Sequence, residues 1–166
     1  VTNVDKANVF ASMALWRKIF ETTAANHPGV AMDSAYVDAM ALNLVMKPWT
    51  YDVLVTENMF GDILSDLIAA LVGGMGMAPS GDIGDKHALF QPAHGTAPDS
   101  AGQGKANPLA MILSAAMMLR FSLGMAVPAD RIEGAVAKAL AGGARSFDLG
   151  GNMTTVQMGD AVLAAL

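Results

Sequence analysis

Residues 56–66 read TENMFGDILSD, and this stretch decides the fold class. The run that leads into it, Tyr51–Thr56 (YDVLVT), is compact and β-rich, as a buried strand should be. The run that leaves it, Met59 to Val72, places Phe60, Ile63, Leu64, Leu67 and Leu71 at helical spacing. A strand passing directly into a helix is the unit of an α/β protein. Upstream the alternation repeats. Val1–Val4 reads as a strand, and residues 7–25 as a helix with Val9, Met13, Trp16 and Phe20 on one stripe. Asn26-His27-Pro28-Gly29 stops that helix. Val30–Met32 is a short strand, and Ser34 is placed to cap a helix that runs to Met46 and ends at Lys47-Pro48. Downstream, residues 73–85 hold five glycines and read as a loop, followed by a strand at 88–91 and a second loop at 94–104. Helices are expected at 108–123, 128–141 and 155–166, with a turn at 148–152. The expectation is α/β, one compact unit over residues 1–166, richer in helix toward the C-terminus.

Composition narrows the functions. The chain has 166 residues, 53% of them hydrophobic, which suits a globular domain with a real core. Ten basic and fifteen acidic residues give a net charge of −5 with no basic block, so nucleic acid is not an expected partner. The most apolar stretch, Leu109–Leu119, falls short of the roughly 20 residues a membrane span needs and reads as a buried core helix. Asp5, Lys6 and Arg17 interrupt any signal-peptide core. Absence of cysteine removes disulfides, thiolate metal sites and a cysteine nucleophile, and agrees with a cytoplasmic setting. The chain begins with Val1, inside what reads as a strand, so it is expected to be part of a longer one.

Within GDILSD, Asp62 and Asp66 lie four residues apart, on one helical face. Like charges at this spacing repel on a bare helix, and a hard divalent cation turns the repulsion into coordination. The alternative is two solvated first-turn acids favoured by the helix dipole. Asp38 sits among Ala39, Met40, Ala41 and Leu42, which read as buried; an acid there either has a partner or faces solvent at a helix start. Lys6 lies where a strand becomes a helix: a general base beside carboxylates, or an ordinary surface lysine. His94-Gly95-Thr96-Ala97-Pro98-Asp99 is a polar loop after a strand. Gly95 lets backbone approach a ligand, Thr96 can donate a hydrogen bond, and Asp99 suits the hydroxyls of a ribose while repelling a 2′-phosphate. A structural turn is the other reading.

Gly73-Gly74-Met75-Gly76 follows a helix rather than a strand, so it is not read as a Rossmann phosphate loop. Met111, Met117 and Met118 read as core filler, and His27 and His87 lack an acid at ligand spacing.

Taken together, VDKAN at 4–8, YVD at 36–38, TENMFGDILSD at 56–66, HGTAPD at 94–99, AGQGKANP at 101–108, ILSAAMMLR at 112–120, DLGG at 148–151 and MGDAV at 158–162 resemble the β-decarboxylating dehydrogenases, the isocitrate/isopropylmalate dehydrogenase family. The matches keep the family's order along nearly the whole chain. The resemblance implies the C-terminal portion of a non-Rossmann α/β fold and a homodimer with a shared active site. It implies Lys6 as the lysine of proton transfer at the substrate hydroxyl. Asp38 would be a metal ligand given across the dimer, with Asp62 and Asp66 ligands from the other subunit, for Mg²⁺ or Mn²⁺. His94, Gly95, Thr96, Ala97, Asp99 and Asn107 would line the adenosine half of NAD, with Asn8 near the nicotinamide and Val9 near the substrate side chain. The implied reaction is oxidative decarboxylation of a 2-hydroxy acid with a 3-carboxylate: isopropylmalate in leucine synthesis, or else isocitrate, homoisocitrate or tartrate. A reading of another class is a non-catalytic subunit or inert fragment; the presence of Lys6 and all three aspartates argues against it. The family's proton-donating tyrosine and substrate-binding arginines lie upstream, and Tyr36 does not replace that tyrosine. Ala39, Ser100 and Gln91 stand where Asn, Ile and Glu are usual.

Overall fold

The computed structural model describes residues 1–166. Tertiary contacts group them into two compact units, Val1–Leu71 and Val72–Leu166, a division that no linker composition marks.

The first unit is built on β1 (Thr2–Asp5), the central strand of a three-stranded parallel sheet. β2 (Asp33–Tyr36) pairs on one side and β3 (Leu54–Thr56) on the other, with Val4 opposite Ala35 and Thr56. Parallel neighbours need crossovers, and two helices supply them. α1 (Ala11–Ala24) links β1 to β2, and α2 (Val37–Met46) leads from β2 toward β3. α3 (Asn58–Leu71) follows β3. Val4, Met40, Leu44 and Leu64 form the core of this unit.

Two elements differ from the sequence pattern. The strand expected at 30–32 lies at Asp33–Tyr36, because pairing with β1 selects it. Ser34 is therefore a strand residue and not a helix cap; its Oγ accepts from Asn3 Nδ2 at 3.3 Å. α1 starts at Ala11 rather than Ala7, since Lys6 C=O accepts from Val9 and Phe10 N–H in a turn of its own.

In the second unit β4 (Pro79–Ile83) and β5 (Ala88–Pro92) form an antiparallel hairpin where a loop was expected over the first of them. Glycine and proline hide β4 in the sequence. Gly81 is required there: a Cβ would stand 2.9 Å from the Phe90 ring on the facing strand. α4 (Leu109–Phe121), α5 (Ala126–Ala141) and α6 (Thr155–Ala165) close over a core of Leu109, Ala135, Val136, Ala139, Met158 and Val162. A capping box of Thr154 and Gln157 starts α6. Arg120 on α4 bridges Asp130 and Glu133 on α5 at 2.9 and 2.7 Å. α4 is apolar on every side but only part of it is buried. Leu109, Ala110, Ser114 and Ala116 face inward, whereas Met111 and Met118 are exposed and are not core filler. No helix is long and apolar enough to cross a membrane.

Candidate functional site

Three parallel strands end on the same edge of their sheet, and each releases a chemical residue there. β1 ends at Asp5 and yields Lys6; β2 ends at Tyr36 and yields Asp38; β3 ends at Thr56, before the helix that carries Asp62 and Asp66. Open parallel sheets bind ligands at this carboxyl edge.

Lys6 and Asp38 meet. Lys6 Nζ donates to Asp38 Oδ1 at 2.7 Å, with the lysine side chain 22% exposed and the aspartate 67%. The lysine hydrogen bond, then backbone N–H groups at the start of α2, hold the Asp38 carboxyl below its usual range. Its neighbours are not uniformly buried as the sequence suggested: Met40 is, whereas Ala39 and Leu42 are exposed.

Asp62 and Asp66 are both exposed, in the second and third turns of α3, because the helix begins at Asn58. They are not first-turn acids. The helix dipole acts on the first turn, so it does not offset their mutual repulsion. Asn58 Nδ2 donates to Asp62 Oδ1 at 3.0 Å, and Glu57 caps the helix by accepting from Met59 and Phe60 N–H. Carboxylate oxygens are the donor chemistry of Mg²⁺ or Mn²⁺, so the donor set fits such a cation. Within one copy of the chain no three such donors stand together. Asn8 and Val9 are exposed in the turn after Lys6.

The second unit holds a cleft of about 790 Å³. His94, Gly95, Thr96, Ala97 and Asn107, which the resemblance groups together, all line it. His94 Nδ1 lies 2.8 Å from Gly95 C=O. Ala97 takes a left-handed φ of 41°, uncommon for a residue with a Cβ, and turns the loop into the short helical turn Pro98–Ser100. Asp99 is exposed in that turn and does not itself line the cleft, whereas Ala97 and Ser100 on either side of it do. A Cβ on Gly95 would meet nothing, so backbone is open to a ligand there.

The opposite wall was not legible as such. Asn107 Nδ2 donates to Asp148 Oδ2 at 3.0 Å, and Ser146 Oγ donates to the other oxygen of Asp148. Asn107 Oδ1 accepts from Leu109 N–H, starting α4. Gly76 packs so tightly here that a Cβ would stand 2.5 Å from Asp148 Oδ2. Lys105 lies 5.5 Å from the Phe147 ring centre, and Thr155 Oγ1 donates to Ala106 C=O at 2.6 Å. The contacts between positions 107 and 148 join segments 41 residues apart, and only folding pairs them. An open, backbone-rich cleft with paired amide and carboxylate groups fits an adenosine better than a compact ion.

Comparison with known proteins gives concordant results. Residues 1–162 match the family model described as isocitrate/isopropylmalate dehydrogenase. The chain is 54% identical over 165 residues to a 3-isopropylmalate dehydrogenase of Zymomonas mobilis, covering 99% of this chain and 47% of that one. It is 52% identical over 170 residues to the enzyme of the same name from Novosphingobium aromaticivorans, covering 99% of this chain and 48% of that one. The crystal structure of an isocitrate dehydrogenase from Methylococcus capsulatus superposes with a TM-score of 0.89 at 42% identity, covering 99% of this chain and 49% of that one. The chain thus spans about half the length of the curated relatives it matches.

Proposed function

We propose, from the premise that the chain belongs to the isocitrate/isopropylmalate dehydrogenase family, that the protein containing it is a metal- and NAD-dependent dehydrogenase. It oxidises and decarboxylates 3-isopropylmalate in leucine synthesis. The observation that carries this reading is the meeting of Lys6 and Asp38 at the carboxyl edge of the sheet, on the same edge that leads to Asp62 and Asp66.

When bound, the divalent cation polarises the substrate hydroxyl and its adjoining carboxylate, and NAD accepts hydride. Lys6 accepts the hydroxyl proton at Nζ in its neutral form, so the ammonium that pairs with Asp38 first gives up a proton to solvent. Asp38 accepts a hydrogen bond from that nitrogen at 2.7 Å and would contribute its carboxylate to the cation. Asp62 and Asp66 complete the ligand set from a second copy of the chain. Val9 and Asn8, in the turn after Lys6, serve the substrate side chain and the nicotinamide. His94 to Ala97, Asp99 and Asn107 hold the adenosine half, and the Asp99 carboxylate disfavours a 2′-phosphate. Residues 1–166 act as one portion of the enzyme, a reading supported by a family match that runs through both units.

The dimer is supported by the surface of α2 and α3. Leu42 is 64% and Ile63 59% exposed, and Val45, Met46 and Met59 are exposed beside them in sequence. Apolar residues at helical spacing next to ligand-bearing acids suit a second copy that buries them and brings Asp38 to Asp62 and Asp66. The cytoplasm suits a chain without cysteine.

A substrate panel on the full-length protein tests the reading. Turnover is expected with 3-isopropylmalate. Turnover of isocitrate, homoisocitrate or tartrate without 3-isopropylmalate would overturn the substrate, and no turnover of any would overturn the enzyme.

A further inference from the structure

Behind Lys6 lies a polar network buried in the central strand, and nothing in the reaction uses it directly. Asn3 and Asp5 are fully buried on β1, two residues apart and therefore on one face of the strand. α1 presses two consecutive residues onto that face. Trp16 Nε1 donates to Asn3 Oδ1 at 2.6 Å. Arg17 donates through Nε to Asp5 Oδ2 at 2.8 Å and through Nη2 to Asp5 Oδ1 at 2.7 Å, a two-pronged pair. Asn3 Nδ2 joins the two acceptors by donating to Asp5 Oδ2 at 2.6 Å.

The same carboxylate grips the backbone around Lys6. Asp5 precedes it in the strand, and Asp5 Oδ1 accepts from Ala7 N–H at 2.9 Å on its far side. The Tyr36 ring adds a lateral hold: Arg17 Cζ lies 4.9 Å and Lys6 Nζ 5.8 Å from its centre. By contrast, the Lys6–Asp38 pair is largely open to water on the aspartate side, and such pairs hold geometry weakly.

An ion pair whose carboxylate is buried in a core strand is a poor way to gain stability, since an apolar set of the same shape often does as well or better. Its position one residue from Lys6 is what gives it a use. Resting on the reading of Lys6 given above, we infer that Arg17 is a positioning residue: through Asp5 and Tyr36 it fixes the backbone and stem of Lys6, so that Nζ stands ready at the substrate hydroxyl. Burial would raise the Asp5 pKa, but hydrogen bonds from Arg17, Ala7 and Asn3 outweigh it and hold the carboxyl ionised.

The test uses steady-state kinetics of the full-length protein with 3-isopropylmalate. Arg17→Met and the charge-keeping Arg17→Lys are both made, so that one remains if the other does not fold. Arg17→Lys cannot reproduce the two-pronged contact. A displaced Nζ lowers kcat by about 10–100-fold while KM for the hydroxy acid stays within about twofold. In a Lys6→Ala background, measured on its residual turnover with methylamine present, the same Arg17 substitution costs no more than about twofold, because the group it positions is gone. An equal loss in both backgrounds, or an unchanged kcat with only a lowered Tm, overturns the inference. The Lys6 reading fails separately if Lys6→Ala alone turns over like the wild type.

Discussion

Lys6 and Asp38, 32 residues apart in sequence, share a 2.7 Å hydrogen bond because β1 and β2 run parallel in a register that sets Asp5 beside Tyr36. The pair lies on one copy of the chain, and the Asp62 and Asp66 carboxylates stand on a different helix of that copy. If two copies share each site, Lys6 and Asp38 serve one site and the two other acids serve its mate. Lys6→Ala and Asp62→Asn subunits then each retain only a small residual activity alone. Mixed and allowed to exchange, they recover about a quarter of wild-type activity, because random hybrids hold one intact site of two. Absence of recovery, with hybrid dimers demonstrated by mass spectrometry, would sink the shared-site geometry.

Asp62→Asn removes one hard oxygen charge from the proposed ligand set. Mn²⁺ affinity of the full-length dimer should weaken by at least about tenfold, the scale at which even outer partners of a metal act. Thermal stability without metal should hold or rise, because an i,i+4 repulsion on the exposed face of α3 is relieved. Calorimetric titration with Mn²⁺ and a metal-free melt read the two effects separately.

The buried Asp5 carboxyl makes stability acid-sensitive. Its pKa in the folded chain lies below the ordinary 3.8, so its contribution is complete above about pH 4 and fades as pH falls through the lower folded value. Asp5→Asn should cost about 1–3 kcal/mol at pH 7 and flatten the acid limb of the stability curve. Urea melts between pH 7 and 3 check both; a parallel downward shift at every pH would refute the assignment.

Gly76→Ala places a methyl 2.5 Å from Asp148 Oδ2 and 2.8 Å from Asn107 Cβ. One wall of the cleft must move. KM for NAD should rise while the Mn²⁺ affinity of the α3 acids is unchanged, and stability should fall by about 1–3 kcal/mol. An unaltered KM for NAD would mean that this cleft does not hold the cofactor.

Much of this arrangement could be read from the chain before folding, for definite reasons. Asp62 and Asp66 belong to one helix, so spacing alone puts them on one face. The helical stripe through Met13, Trp16 and Phe20 was likewise visible, and all three are half-buried on α1, whereas Val9 of the same expected stripe is exposed ahead of the helix. What escaped depends on pairing across distance. β4 was obscured because Gly81 and Pro79, which read as loop residues, are there to admit the Phe90 ring and to start an outer strand. Asp148 lines the cleft where Asn107 and Ser146 hydrogen-bond to it, and the pairing with Asn107 is one that no local pattern announces. Arg17 looked like a charge interrupting an apolar run, and its meaning appears only when Asp5 lies beneath it.

The order of strands in the sheet also bears on how the chain comes to fold. β1 precedes both of its partner strands yet sits between them, and they arrive late: Thr2 pairs with Asp33 and with Leu54. On a growing chain the central strand therefore emerges with both hydrogen-bonding edges vacant, and loops of some thirty and fifty residues must close before either is filled. The contact it can make sooner is with Arg17, only 12 residues on. A local clasp of α1 on β1 would shield that strand while its partners are still being made. Substitutions at Arg17 should accordingly slow refolding as well as speed unfolding, whereas changes in α3 act chiefly on unfolding.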